Sequence, residues 1–114
     1  MGRHYIQQNP YDKRLNIKLE GIFEDDDWQE LMASYRKQVQ MISPEEYQVE
    51  LDCTAFPLAK SSQWDRLEEI YRLFDVEAFR KISLILRESS ERLDYTFHET
   101  IRNVDPAKLQ LRYV

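Results

Sequence analysis

Tyr47-Gln48-Val49-Glu50-Leu51-Asp52-Cys53 decides the fold of this chain. Apolar and polar residues alternate through the whole stretch, the period-two pattern of a strand with one face buried and the other in water. Two more stretches read the same way. Upstream, Leu15-Asn16-Ile17-Lys18-Leu19-Glu20 alternates without a break; downstream, Ile82, Leu84 and Leu86 alternate with Lys81, Ser83 and Ile85.

Helical spacing fills the gaps between these strands. Trp28, Leu31, Met32, Tyr35 and Val39 form one apolar stripe, with an aspartate of Glu24-Asp25-Asp26-Asp27 expected as its N-cap and Ser43-Pro44 as its stop. Trp64, Leu67, Ile70, Tyr71 and Phe74 form a second stripe. Leu93, Phe97, Ile101 and Val104 form a third, ended before Pro106. At the flanks, His4–Gln8 reads as a partner strand closed by the turn residues Asn9, Pro10 and Asp12, and Leu109, Leu111 and Tyr113 as a short terminal strand.

Strand–helix–strand order implies parallel strands joined by right-handed crossovers. Strands covered on both faces read as continuous apolar runs, whereas these alternate, so helices are expected mainly on one face. The expectation is an α/β fold with a mostly parallel sheet of four to five strands, neighbours following chain order. The opposite face would carry Asn16, Lys18, Glu20, Gln48, Glu50, Asp52, Lys81 and Ser83.

Composition sets the class. A length of 114 residues suits a single domain, 1–114, and 42% apolar with 12% aromatic residues supply a core. The longest apolar-rich run, Ile82–Leu86, is far short of a membrane span of about 20 residues, and Met1–Pro10 has no signal-type apolar core. The lone cysteine, Cys53, has no internal disulfide partner, which points to a reducing cytoplasm. A net charge of −5, from 16 basic and 21 acidic residues, argues against a nucleic-acid partner.

Three runs carry a family resemblance. Leu19-Glu20-Gly21-Ile22-Phe23, followed by the Trp28–Leu31 helix, resembles the strand–Gly–acidic–helix opening of STAS domains, the fold of anti-sigma factor antagonists and sulfate-transporter tails. Leu51-Asp52-Cys53-Thr54-Ala55-Phe56 and Lys60-Ser61-Ser62-Gln63 are similar to that family's second strand and the loop after it. The resemblance runs from about Leu15 to Asn103 and implies that Ser62, preceded by Ser61, falls on the serine whose phosphorylation switches partner binding in the antagonists. Lys60 stands where the family carries Asp, and Gln63 where it carries Gly.

Each candidate residue also has a local reading. A phosphate on Ser62 would meet a helix N-terminus, with Lys60 adding a cation. Ser62-Gln63-Trp64-Asp65 equally fits a capping box, in which Ser62 is simply the N-cap. Asp25, Asp26 and Asp27 have the chemistry of a hard-metal site, but acids at a helix start are equally expected from the dipole. Ser89-Ser90-Glu91 reads as another cap. His4 and His98 lack metal-ligand spacing with Cys53, two glycines leave no phosphate loop, and no general base pairs with a nucleophile.

The loops at the carboxyl ends of the strands should share one edge, and they hold Asp25, Asp26, Asp27, Lys60, Gln63, Ser89 and Ser90. The expectation is therefore a STAS-like, cytoplasmic, regulatory protein-interaction module with Ser62 as its switch. It is expected to be no enzyme, to take no cofactor and no metal, to insert in no membrane, and to bind a protein partner on that rim. The alternatives are a homo-oligomer subunit, motivated by the polar sheet face, and a small-ligand-binding domain without catalysis.

Overall fold

The computed structural model describes residues 1–58, 61–87 and 108–114. Five strands form one mixed sheet: β1 (Arg3–Asn9), β2 (Arg14–Glu20), β3 (Gln48–Ala55), β4 (Lys81–Leu86) and β5 (Leu109–Tyr113), in spatial order β1-β2-β3-β4-β5. β1 runs antiparallel to β2, while β2–β3, β3–β4 and β4–β5 are parallel. Neighbours follow chain order, as the alternation required. The stripe from Leu93 to Val104 lies outside the described residues, as do Lys60, Ser89 and Ser90.

Among the described residues two helices make crossovers: α1 (Asp25–Val39) from β2 to β3, and α2 (Ser61–Val76) from β3 to β4. Crossovers of one hand that step in one direction lie on the same side of a sheet. Burial agrees. Trp28, Leu31, Tyr35, Leu67, Ile70 and Phe74 join Leu15, Ile17, Leu19, Val49, Leu51, Cys53, Ile82, Leu84 and Leu86 in one core cluster. The in-register row Ile17, Leu51, Leu84 and Leu111 crosses four strands on this face.

Helix ends depart from the sequence reading in instructive ways. The N-cap of α1 is Glu24, not an aspartate, because Asp27 three residues on accepts a 3.0 Å bond from the Glu24 N–H. The helix ends at Val39, and Ser43-Pro44 instead opens a short 3₁₀ turn, Pro44–Glu46, where proline needs no N–H. At the far end of α2, Phe79 N–H donates to Phe74 O at 3.5 Å and Ala78 N–H to Asp75 O at 3.1 Å. That pair of bonds is a Schellman closure, and the Phe74 and Phe79 rings meet edge-on at 5.8 Å as its apolar contact.

The closing residue is Ala78, at φ 59°, where glycine is the usual occupant. The left-handed region costs a residue bearing Cβ about 1–2 kcal/mol, partly offset by the extra freedom that glycine gives the unfolded chain. Ala78→Gly is expected to raise stability by about 0.5–1 kcal/mol, read as a higher denaturant midpoint at unchanged slope.

Candidate functional site

β2 and β3 end side by side, tied by a 2.9 Å bond from Gly21 N–H to Ala55 O. Gly21 sits at φ +76°, and a Cβ there would come within 2.9 Å of the Met1 carbonyl oxygen, so the turn off β2 needs glycine. The chain then drops Phe23 into the core, edge-on to Trp28 at 5.9 Å and to Phe56 at 5.7 Å. This anchoring fixes where α1 begins.

α2 begins against the same point through Gln63. Its side chain is 1% exposed. Oε1 accepts from Phe23 N–H at 2.9 Å, and Nε2 donates to Phe23 O at 3.0 Å and to Ser62 Oγ at 3.2 Å. One amide thus satisfies both backbone groups of a buried residue 40 positions away. Glycine, which the family resemblance puts at this position, could make none of these side-chain bonds.

The two helix starts enclose an open cleft of about 520 Å³ lined by Ile22, Phe23, Glu24, Asp25, Asp26, Ser62, Gln63 and Arg66. Ser62 is exposed in the first turn of α2, and Arg66 follows one turn later, the spacing at which helix side chains are neighbours. Arg66 Nη2 donates to Asp25 Oδ1 at 2.9 Å, and its guanidinium lies over the Trp28 ring at 5.5 Å. Its Nε is buried without a hydrogen-bond partner. The Asp25 side chain is 91% exposed, so this ion pair is readily exchanged for another anion.

Most of the rim residues named from sequence and described in the structure therefore do meet. Asp25, Asp26, Ser62 and Gln63 border one cleft; Asp27 does not. Its carboxylate turns away to accept from Glu24 N–H and Gly2 N–H at 3.0 and 3.1 Å. Those two backbone bonds, that from Glu24 foremost, hold the Asp27 carboxyl below its usual value. With Asp25 on Arg66 and Asp27 on backbone, the acidic run is divided between separate partners. Among the described residues no group of three or more His, Cys, Asp or Glu is placed to hold a metal.

The capping-box reading of Ser62 and Asp65 does not hold in that form, since α2 already starts at Ser61 and Ser62 lies inside the first turn. Arg66 is a cleft residue that the sequence reading missed: it stands four positions after Ser62 on a helix, but its long-range pairing with Asp25 is what brings it into the cleft. His4 Nε2 lies 3.2 Å from Ser34 Oγ, a contact between β1 and α1. Cys53 is buried, and that burial, then the neighbouring Asp52 charge, pushes its thiol well above the ordinary value, as befits packing rather than reactivity. No helix among the described residues is long and apolar enough to cross a membrane.

Comparison with family models, curated proteins and solved structures yields no match to this chain.

Proposed function

We propose that this chain is a regulatory protein-interaction module of STAS-like type, which docks a protein partner on the cleft between the starts of α1 and α2 and is switched by phosphorylation of Ser62. One observation carries this reading: an exposed serine in a helix's first turn shares an open cleft with an arginine one turn on and two exposed aspartates.

The chemistry of a switch follows from that arrangement. A phosphate adds about −1.5 to −2 charges and strong acceptor oxygens. On Ser62 it would sit where free N–H groups and the helix dipole favour an anion. It would compete with Asp25 for Arg66, and phosphate–guanidinium pairing is the stronger contact. Asp25 would then stand unpaired beside Asp26, turning a mixed rim strongly acidic. A partner that reads the unmodified rim by charge would be repelled, and one that seeks an acidic surface would be recruited.

The test is affinity capture with wild type, Ser62→Ala and Ser62→Asp, followed by titration of each with the captured protein. A charge at position 62 is expected to change the dissociation constant by about ten-fold or more, the size of one charge-assisted contact, while Ser62→Ala behaves like the unmodified chain. Equal binding by all three would refute the switch. Loss of binding on Arg66→Ala would still support docking at the cleft.

A further inference from the structure

The sheet face away from α1 and α2 holds a second, separate groove of about 450 Å³, to which Tyr5, Asn16, Lys18, Glu50, Asp52 and Ile85 contribute. Strand register explains its composition. Tyr5, Lys18, Asp52, Ile85 and Arg112 form one in-register row across all five strands, and Gln7, Asn16, Glu50, Ser83 and Gln110 form the next. Ile85 is thus a half-buried apolar residue set among polar neighbours on the face away from α1 and α2. Tyr5, half exposed, lies at the other end of the row.

The charges in this groove pair off, except one. Arg112 Nη1 donates to Glu50 Oε1 at 3.1 Å, and Lys18, directly opposite Asp52 in register, reaches along its own strand to Glu20 at 3.5 Å. Asp52 has no ion-pair partner among the described residues. Its Oδ1 accepts from Thr54 N–H at 2.9 Å and from Thr54 Oγ1 at 2.7 Å, which fixes the carboxylate and leaves Oδ2 for something else. Diagonally next to it, the Asn16 side-chain oxygen is buried without a hydrogen-bond partner. Both residues line the same groove from adjacent strands, where one planar, two-pronged donor can address both acceptors.

We infer that this groove binds a guanidinium group on an apolar stem. Its fork donates to Asp52 Oδ2 and to the Asn16 oxygen, neutralising the unpaired carboxylate and satisfying the orphan acceptor. Tyr5 offers a ring face to the cation, and Ile85 offers apolar contact to the stem. An ammonium also carries several N–H groups, but they radiate from one nitrogen and span less than the planar guanidinium fork, and an anion would meet Asp52 and Glu50. The same chemistry is carried by a free small guanidine and by an arginine side chain of a partner.

The test is an amide-resolved NMR titration of the full chain with three singly charged probes: n-butylguanidinium, the blocked peptide acetyl-Gly-Arg-Gly-amide, and n-butylammonium. Saturable shifts confined to the facing residues of β1, β2, β3 and β4 are expected with the guanidinium probes and not with n-butylammonium. n-Butylguanidinium binding the more tightly would assign a free ligand, and the peptide binding the more tightly would assign a partner's arginine. Asp52→Asn keeps an Oδ1 acceptor for both Thr54 bonds while removing the charge, and it is expected to weaken binding about ten-fold or more. Absence of saturable shifts with both guanidinium probes, or equal affinity in Asp52→Asn, would overturn the assignment. Because the groove lies on the sheet face away from α1 and α2, its failure leaves the Ser62 cleft untouched.

Discussion

Gln63→Leu is expected to cost about 2–4 kcal/mol of folding stability. Leucine roughly keeps the side-chain size, so the loss does not come from a cavity. It comes from Phe23, whose N–H and C=O both bond the Gln63 amide in a site that is 1% exposed. Each group left dry and unpaired costs about 1–3 kcal/mol. Gln63→Glu offers no rescue: it can accept from the Phe23 N–H, but at neutral pH it has no proton for the Phe23 carbonyl and places a charge in a dry site. Equilibrium urea unfolding of the two variants checks this. A loss below about 1 kcal/mol for Gln63→Leu would mean that Phe23 finds other partners.

Phe74→Ala is expected to cost about 3–5 kcal/mol, a large share of the 5–15 kcal/mol typical of a domain. Phe74 is fully buried, meets the Tyr35 ring of α1 at 5.7 Å, and meets Phe79 beyond the end of α2 at 5.8 Å. Truncation opens a void at the seam between the helices and strips the Schellman closure of its apolar contact. Urea unfolding reads this as well, with a lower midpoint expected. A loss near 1 kcal/mol would mean that Tyr35 and Phe79 collapse into the space.

The two residues show which parts of the fold are legible in a sequence. Phe74 sits on a helical stripe, so its burial follows from spacing alone. The strand order also follows, because Leu15–Glu20 and Tyr47–Cys53 alternate cleanly, Lys81–Leu86 alternates but for Ile85, and each is followed by a helix-length segment or a turn. Gln63 is different. Polarity assigns it to the surface, and the partner that buries it lies 40 positions away across the sheet edge. Long-range hydrogen bonds of that kind leave no periodic trace.

Helix ends were read less well, for a related reason. Ser62 as the N-cap and Ser62 at the second helical position differ by two residues, a shift that leaves the apolar stripe of α2 unchanged. Ala78 closes α2 in a conformation for which the sequence offers no glycine, so the usual stop signal is missing. The cleft was legible in outline, since loops at the carboxyl ends of parallel strands gather at one edge. Its cation was not, because Arg66 reads as an ordinary surface residue until the turn at Glu24–Asp25 is brought against it.

The most direct measurement places a photo-activated benzoylphenylalanine at Asp26, on the cleft, and at Lys37, near the opposite end of α1, and irradiates each chain in its native cell. A single protein adduct is expected from position 26, absent from position 37, and altered in yield when Ser62→Asp is added. Adducts from position 37 alone, or none from position 26, would contradict docking at the starts of the two helices.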